Sequence, residues 1–168
     1  MADTVLVHPN RDKRSSHVTR VIVVILLLVS AALILIVTLG GWSHLQGSQP
    51  ISFAYVLVYL VMAWQVAGWN RGVLPVAAAL AVLFAVVAAV AGPQWFDRDK
   101  AGFDDPALDP SILGILTVAL VPVQLLLTGF AMSAFQQQWN VEVEVTRDEA
   151  DRYESGGLSG GQLTPAQP

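Results

Sequence analysis

The sequence lacks cysteine and is poor in charge, and both features narrow its chemistry. Its 168 residues include no cysteine and 13% charged residues, whereas 54% are hydrophobic. Without thiols the chain can form neither thiol redox centres nor zinc–thiolate sites. Soluble globular domains contain about 25% charged residues, so half that share on such an apolar chain indicates that much of it is solvated by lipid.

Ionisable residues are absent from four long apolar stretches. None of these stretches contains Asp, Glu, Lys, Arg or His, and they cover residues 21–39, 51–69, 73–92 and 112–133. Each has about the 20 residues that a helix needs to cross a hydrocarbon core of roughly 30 Å. A soluble four-helix bundle would show a polar stripe on each helix, which is missing here. The sequence therefore predicts an all-α integral membrane protein, a four-helix transmembrane bundle over residues 21–133.

Lysine and arginine are unevenly distributed outside the spans, which predicts the orientation of the chain. Seven of the nine lie in the N-terminal tail (1–20), the turn at 70–72 and the C-terminal tail (134–168), and two lie in the loop at 93–111. Because positively charged segments stay in the cytoplasm, both termini are expected there. Arginine outnumbers lysine seven to two, and alanine and valine are frequent, which is consistent with a GC-rich bacterial genome. We expect a multipass protein of the inner, or plasma, membrane, with a C-terminal tail that is partly flexible.

The absence of ionisable groups from the spans argues against several functions. Ion-coupled transporters usually carry a titratable residue inside the membrane, and membrane haem needs histidine ligands there. The three histidines, His8, His17 and His44, all lie outside the spans. The chain also has no catalytic or phosphate-binding motif and no basic patch for nucleic acid. We therefore expect no enzyme activity, no cofactor and no nucleic-acid partner.

The third span carries small residues at four-residue spacing, which predicts a face for close helix packing. This face consists of Ala77, Ala81, Ala85 and Ala89. The tight turn at 70–72 makes the second and third spans antiparallel neighbours, so the second span is the expected partner for part of this face. The same face could instead bind a second copy of the chain.

The second and fourth spans carry the few polar side chains at membrane depth. Gln65 and Gln124 are expected at similar depth and could form an interhelical amide pair, while Thr117 and Thr128 share a helical stripe with Gln124. Pro122 predicts a kink in the fourth span. These four polar residues either hold helices together or line a narrow polar path.

The loop between the third and fourth spans is acidic. Its carboxylates partly match a calcium-binding loop, but Ala101 and Leu108 stand where two ligands are required. A divalent-cation site is therefore a weak hypothesis, and it would use Asp97, Asp99, Asp104 and Asp105.

The C-terminal tail predicts two short elements. Residues 141–145 alternate between valine and glutamate, which indicates a strand that needs another sheet edge, in a partner or a second copy. Residues 146–149 read as a capping box that starts a helix to about Glu154, and Gly156–Gly157 should end it.

These features together favour a non-catalytic accessory or assembly subunit of a larger membrane complex. Its expected partners are the lipid bilayer and other membrane proteins, or further copies of itself. Two alternatives stay open. One is a small oligomeric channel or facilitator whose path is lined by the glutamines and threonines. The other is a sensor of divalent cations at the outer face.

Overall fold

The computed structural model describes residues 4–45, 47–97 and 106–165. Within these ranges the chain forms, in order, β1 (Thr4–Val7), α1 (Arg14–Gly40), α2 (Gln49–Ala67), α3 (Leu74–Asp97), α4 (Pro110–Gln136), β2 (Val143–Thr146) and α5 (Arg147–Glu154). The helices α1 to α4 are long and apolar enough to span a membrane. The prediction of four membrane-spanning helices is confirmed.

The helix α3 extends beyond the predicted span. The loop was expected to begin at Pro93, but the helix continues through it to Asp97. The cause is Trp95, which is only 3% exposed and packs with Val37 of α1 and Leu113 of α4 in a separate apolar cluster. Gly41 lies directly against the indole, where any side chain would collide with it. Burial of this large ring outweighs the one hydrogen bond that proline cannot make.

The order of the helices across the bundle differs from the expected one. α1 packs against α2 and α4, α4 packs against α3, and α2 and α3 touch each other little. The prediction that α2 covers the small-residue face of α3 is therefore wrong, because α4 covers it. Between α2 and α3 lie the rings of Tyr55 and Phe84, whose centroids are 4.9 Å apart. Such bulky side chains keep the two helices from the close approach that alanine allows.

The interface between α3 and α4 follows a spacing of alternately three and four residues, as in a coiled coil. The residues buried at this spacing are Leu74, Ala78, Ala81, Ala85, Ala88, Gly92 and Trp95 in α3, and Leu113, Thr117, Leu120, Gln124, Leu127, Ala131 and Ala134 in α4. A strict spacing of four drifts by about 40° per step on a helix of 3.6 residues per turn. Ala77, Ala81 and Ala85 are buried as predicted, but Ala89 has rotated out of the interface and is exposed.

The chain begins α4 with a side-chain cap. The carboxylate of Asp109 accepts a hydrogen bond from the Ser111 backbone N–H at 2.8 Å and another from the Ser111 hydroxyl. The bonds from Ser111 favour the charged form and hold the pKa of Asp109 below its usual value of 3.8. Asp109 thereby satisfies one of the backbone donors that a helix start leaves free.

Two glycines of the spanning helices allow the closeness of the α3–α4 interface to be tested. A Cβ at Gly92 would come within 2.7 Å of Val118 Cγ2, whereas a Cβ at Gly129 would meet nothing within 4 Å. We expect Gly92→Ala to lower the free energy of unfolding in detergent by about 1–3 kcal/mol, because the added methyl group pushes the helices apart. Gly129→Ala is the matched control and should be neutral or stabilising by up to about 1 kcal/mol. Equal effects of the two substitutions would contradict this account.

Candidate functional site

The segments that precede α1 and follow α4 lie at the same end of the bundle, which we call the terminal end, and the opposite end is the distal end. At the terminal end β1 pairs antiparallel with β2, and Val5 faces Val145 in the register. The strand predicted at 141–145 is therefore present at Val143–Thr146, but its partner is the N-terminal segment of the same chain. β2 therefore does not need a strand from another protein or a second copy in order to form, and a contact with such a strand stays a prediction.

The strands and α5 form a small folded unit, which we call the terminal cap. One face of the sheet carries only valines, and α5 packs on the sheet through the buried Ala150. The other face carries Thr4, Leu6, Glu144 and Thr146, and Thr4 Oγ1 donates to Glu144 Oε1 at 2.6 Å. An alternating strand pattern buries one face and exposes the other, as the valine–glutamate repeat of β2 indicated.

The short helix α5 ends as predicted but starts differently. At its end Gly156 has a φ of +78°, and the N–H groups of Gly156 and Gly157 donate to the carbonyls of Tyr153 and Arg152. This arrangement is a glycine-ended Schellman motif. At its start the predicted capping box does not form. The hydroxyl of Thr146 instead meets the Glu149 carboxylate at 3.5 Å and caps no backbone group.

A tyrosine joins the cap to the segment that enters α1. Tyr153 Oη donates a hydrogen bond of 2.5 Å to Asp12 Oδ2. Partial burial and this bond to a carboxylate raise the pKa of Tyr153 to about 12. The phenol therefore remains protonated, and able to donate, over the whole physiological pH range.

A tryptophan connects the cap to the membrane-spanning bundle. Trp139 is fully buried, and its indole Nε1 donates to Gln137 Oε1 at 3.0 Å. The amide Nε2 of Gln137 donates in turn to Thr19 Oγ1 of α1 at 2.9 Å. The Trp139 ring also meets the Trp69 ring edge-on, at a centroid distance of 5.3 Å. We call these four residues the tryptophan clamp, because they tie α1, the end of α2 and the end of α4 together.

Two arginines close the ends of α2 and α4 beside the clamp. Arg20 Nη1 donates to the Ala67 carbonyl at 3.0 Å, and its guanidinium lies 4.1 Å from the centroid of the Trp69 ring. Arg71 Nε donates to the Phe135 carbonyl at 2.7 Å and lies 4.1 Å from that residue's ring centroid. A cation at a helix C-terminus satisfies free carbonyls and opposes the helix dipole. Each arginine also gains a cation–π contact.

The backbone is strained at two positions around the clamp. Trp69 has a φ of +64° and Gln138 a φ of +51°, and both are residues with a side chain. Such left-handed conformations cost on the order of 1–3 kcal/mol each and persist only where the surroundings fix them. Here the surroundings include the edge-on contact of the Trp69 and Trp139 rings, and the strain indicates that the clamp geometry is tightly determined.

The polar residue at the centre of the bundle pairs differently from the prediction. Gln124 is fully buried, and its Oε1 accepts a hydrogen bond of 2.9 Å from Tyr59 Oη of α2. Gln65, the expected partner, instead accepts from Asn70 Nδ2 at 3.0 Å near the terminal end. Six residues separate Tyr59 from Gln65, which turns the side chain by about 240° around the helix. The predicted Gln65–Gln124 pair is therefore wrong. Gln65 lies two residues from the end of α2 whereas Gln124 lies near the middle of α4, so the two side chains also differ in depth.

The threonines of the predicted stripe bond within their own helix. Thr117 Oγ1 donates to the Leu113 carbonyl at 2.7 Å, and Thr128 Oγ1 donates to the Gln124 carbonyl at 2.9 Å. Gln65 and the two threonines thus use these groups in separate local contacts within one copy of the chain, whereas Gln124 Nε2 is buried and has no hydrogen-bond partner among the described residues. α4 runs without a break through Pro122, and the kink there stays a prediction.

The hypothetical cation site can be placed only in part. Asp97 is the exposed last residue of α3. Asp99, Asp104 and Asp105 lie outside the described residues. The calcium hypothesis therefore stays a prediction.

Several residues that build these sites were missed by sequence reasoning. Tyr59 carried a signal, because a tyrosine near the middle of an apolar span needs a partner for its hydroxyl. Trp139 also carried a signal, because a tryptophan that follows three glutamines at a helix end has hydrogen-bonding groups close by. The chain matches no protein-family model, no curated protein and no solved structure.

The Tyr59–Gln124 bond can be tested with a double-mutant cycle. Tyr59→Phe removes the donor, and Gln124→Leu removes the acceptor and leaves the phenol buried without it. We expect each single change to lower the free energy of unfolding in detergent, and the double change to cost less than their sum. The coupling should be about 0.6 kcal/mol and at most about 1.7 kcal/mol.

Strict additivity would contradict a direct bond between Tyr59 and Gln124. If Gln124→Leu left stability unchanged and abolished a measured solute flux, Gln124 would belong to a polar path instead.

Proposed function

We propose that this chain is a non-catalytic accessory subunit of a larger membrane complex and that it binds its partner through the terminal cap. One observation carries the proposal. The sheet of the cap consists, in the described part of the chain, of β1 and β2 alone, so the outer edge of β1 has no strand beside it. An open edge offers a row of backbone donors and acceptors to an extended segment of another protein.

The composition of β1 supports binding at this edge. Soluble proteins usually protect a free edge with charges, proline or a bulge, and the sequence Thr4-Val5-Leu6-Val7 contains none of those residues. Leu6 is 58% exposed. β2 differs, since Glu144 within it and Glu142 before it are exposed and charged. An added strand would therefore meet an uncharged edge at β1.

The clamp supports a binding role because it fixes the cap to the bundle. Trp139 lies between α4 and β2 in the chain and is held by Gln137, Trp69 and the Arg11 guanidinium, whose Nε donates to the Trp139 carbonyl at 3.1 Å. A binding edge that is already held in place loses less conformational entropy when a partner docks. The cap is thus suited to hold a partner at a defined position above the membrane.

The proposal includes the orientation of the chain and the membrane in which the chain lies. With the excess of Lys and Arg at the terminal end, the cap lies in the cytoplasm and the chain in a bacterial inner membrane. The polar groups of the spans favour an accessory role over a channel. Tyr59 bonds to Gln124 and so joins α2 to α4, while the threonine hydroxyls bond to carbonyls of their own helix.

A charge at the open edge should release the partner. We expect the tagged wild-type chain, purified from its membranes in mild detergent, to retain a second protein species, and Leu6→Lys to lose it. Val141→Lys is the matched control, since Val141 is also exposed and lies near the cap but outside both strands. Both changes are at exposed positions and should leave the melting temperature nearly unchanged.

Retention of the partner by Leu6→Lys would overturn the edge as its binding site. A single homo-oligomeric species in the wild type, conducting a solute in vesicles, would favour the channel alternative.

A further inference from the structure

A cavity of about 320 Å³ lies in the distal half of the bundle, where α2 and α3 diverge. All four spanning helices contribute to its wall, which includes Ile34, Tyr55, Phe84, Ala91, Trp95 and Leu120. Two further wall residues, Ile51 of α2 and Val87 of α3, are 64% and 56% exposed on the outside of the bundle. The cavity therefore opens sideways, between α2 and α3, into the region that lipid occupies.

The serine and threonine hydroxyls of the wall are already engaged. The hydroxyls of Thr38, Thr117 and Ser48 donate to the carbonyls of Ile34, Leu113 and Leu45 at 2.6, 2.7 and 2.7 Å. An ordered water needs two to four polar partners, and an apolar cavity without them stays dry. This wall is therefore poorly suited to a water-filled path.

The opening toward lipid distinguishes between the remaining occupants. A helix or side chain of another polypeptide would fill the cavity only if that polypeptide docked at the opening between α2 and α3. An empty cavity would leave the wall atoms without dispersion contacts on one side. A single hydrocarbon chain is thin and flexible, and the surrounding bilayer supplies it in excess.

We propose that this cavity binds one acyl chain of a membrane lipid. The chain enters between Ile51 and Val87, lies against the aromatic rings of Tyr55, Phe84 and Trp95, and has its headgroup at the distal surface of the membrane. The proposal does not depend on the terminal cap, because the cap lies at the other end of the bundle.

The buried indole of Trp95 makes the proposal measurable. Trp95 lines the cavity but is only 3% exposed, so the lipid around the bundle barely reaches it. Bromine quenches tryptophan fluorescence at short range. The full-length chain is reconstituted in phosphatidylcholine vesicles with brominated or with ordinary acyl chains, and the difference between wild type and Trp95→Phe gives the Trp95 signal. We expect brominated chains to quench that signal.

Two alanines of α3 give a matched pair of variants. Ala91 lines the cavity, whereas Ala89 is exposed on the outside and is not part of the wall. Ala91→Phe should fill the cavity and restore Trp95 fluorescence in brominated lipid, each variant being compared with its own Trp95→Phe version. Ala89→Phe should leave the quenching unchanged. Ala91→Leu serves as a smaller substitution if the phenylalanine variant does not fold.

Three results would overturn the proposal. The first is a Trp95 signal that brominated chains do not reduce. The second is quenching that persists in folded Ala91→Phe and Ala91→Leu, which would come from lipid outside the cavity. The third is cross-linking of Ala91→Cys to another polypeptide, since the chain has no natural cysteine and the introduced thiol would be unique.

Discussion

The buried indole of Trp139 is the contact on which the terminal end of the molecule depends. Helices in lipid gain no hydrophobic free energy from contact with each other, so specific packing and polar bonds must fix their arrangement. Trp139 provides both, since its ring packs on Trp69 and its N–H begins the hydrogen-bonded chain through Gln137 to Thr19. Loss of one member leaves the others buried without partners, which costs more than one bond is worth.

Two of the few charged residues of the sequence have a structural role in this arrangement. Arg20 and Arg71 belong to the positive residues that predict the orientation, yet each is bound to a helix-ending carbonyl and an aromatic ring. These contacts cover part of each guanidinium. Only the part that stays exposed can attract the negative inner surface of a membrane. The first role of the two arginines is to close α2 and α4, and it explains why they lie close to the spans.

How well the sequence predicts each feature of this structure depends on how far apart in the sequence the interacting residues lie. The presence of the four long apolar helices and the glycine end of α5 depend on nearby residues, and the sequence contains their signal. Gln65 and Gln124 were paired from depth along the helix, which ignores the direction of a side chain around it. Ala89 was placed from a spacing of four, which drifts on a helix of 3.6 residues per turn. The pairing of Thr4 with Thr146 joins opposite ends of the chain and has no local signal.

The tight interface and the distal cavity arise from one property of α3, the different size of its side chains on two sides. Ala81, Ala85 and Gly92 face α4 and let the two helices approach, while Phe84 meets Tyr55 and keeps α2 away. At the terminal end the short connection of residues 68–73 forces α2 and α3 together. The two helices can therefore separate only toward the distal end. The gap that opens there has apolar walls because the surfaces of both helices are apolar. A hydrocarbon chain is the ligand that this geometry selects.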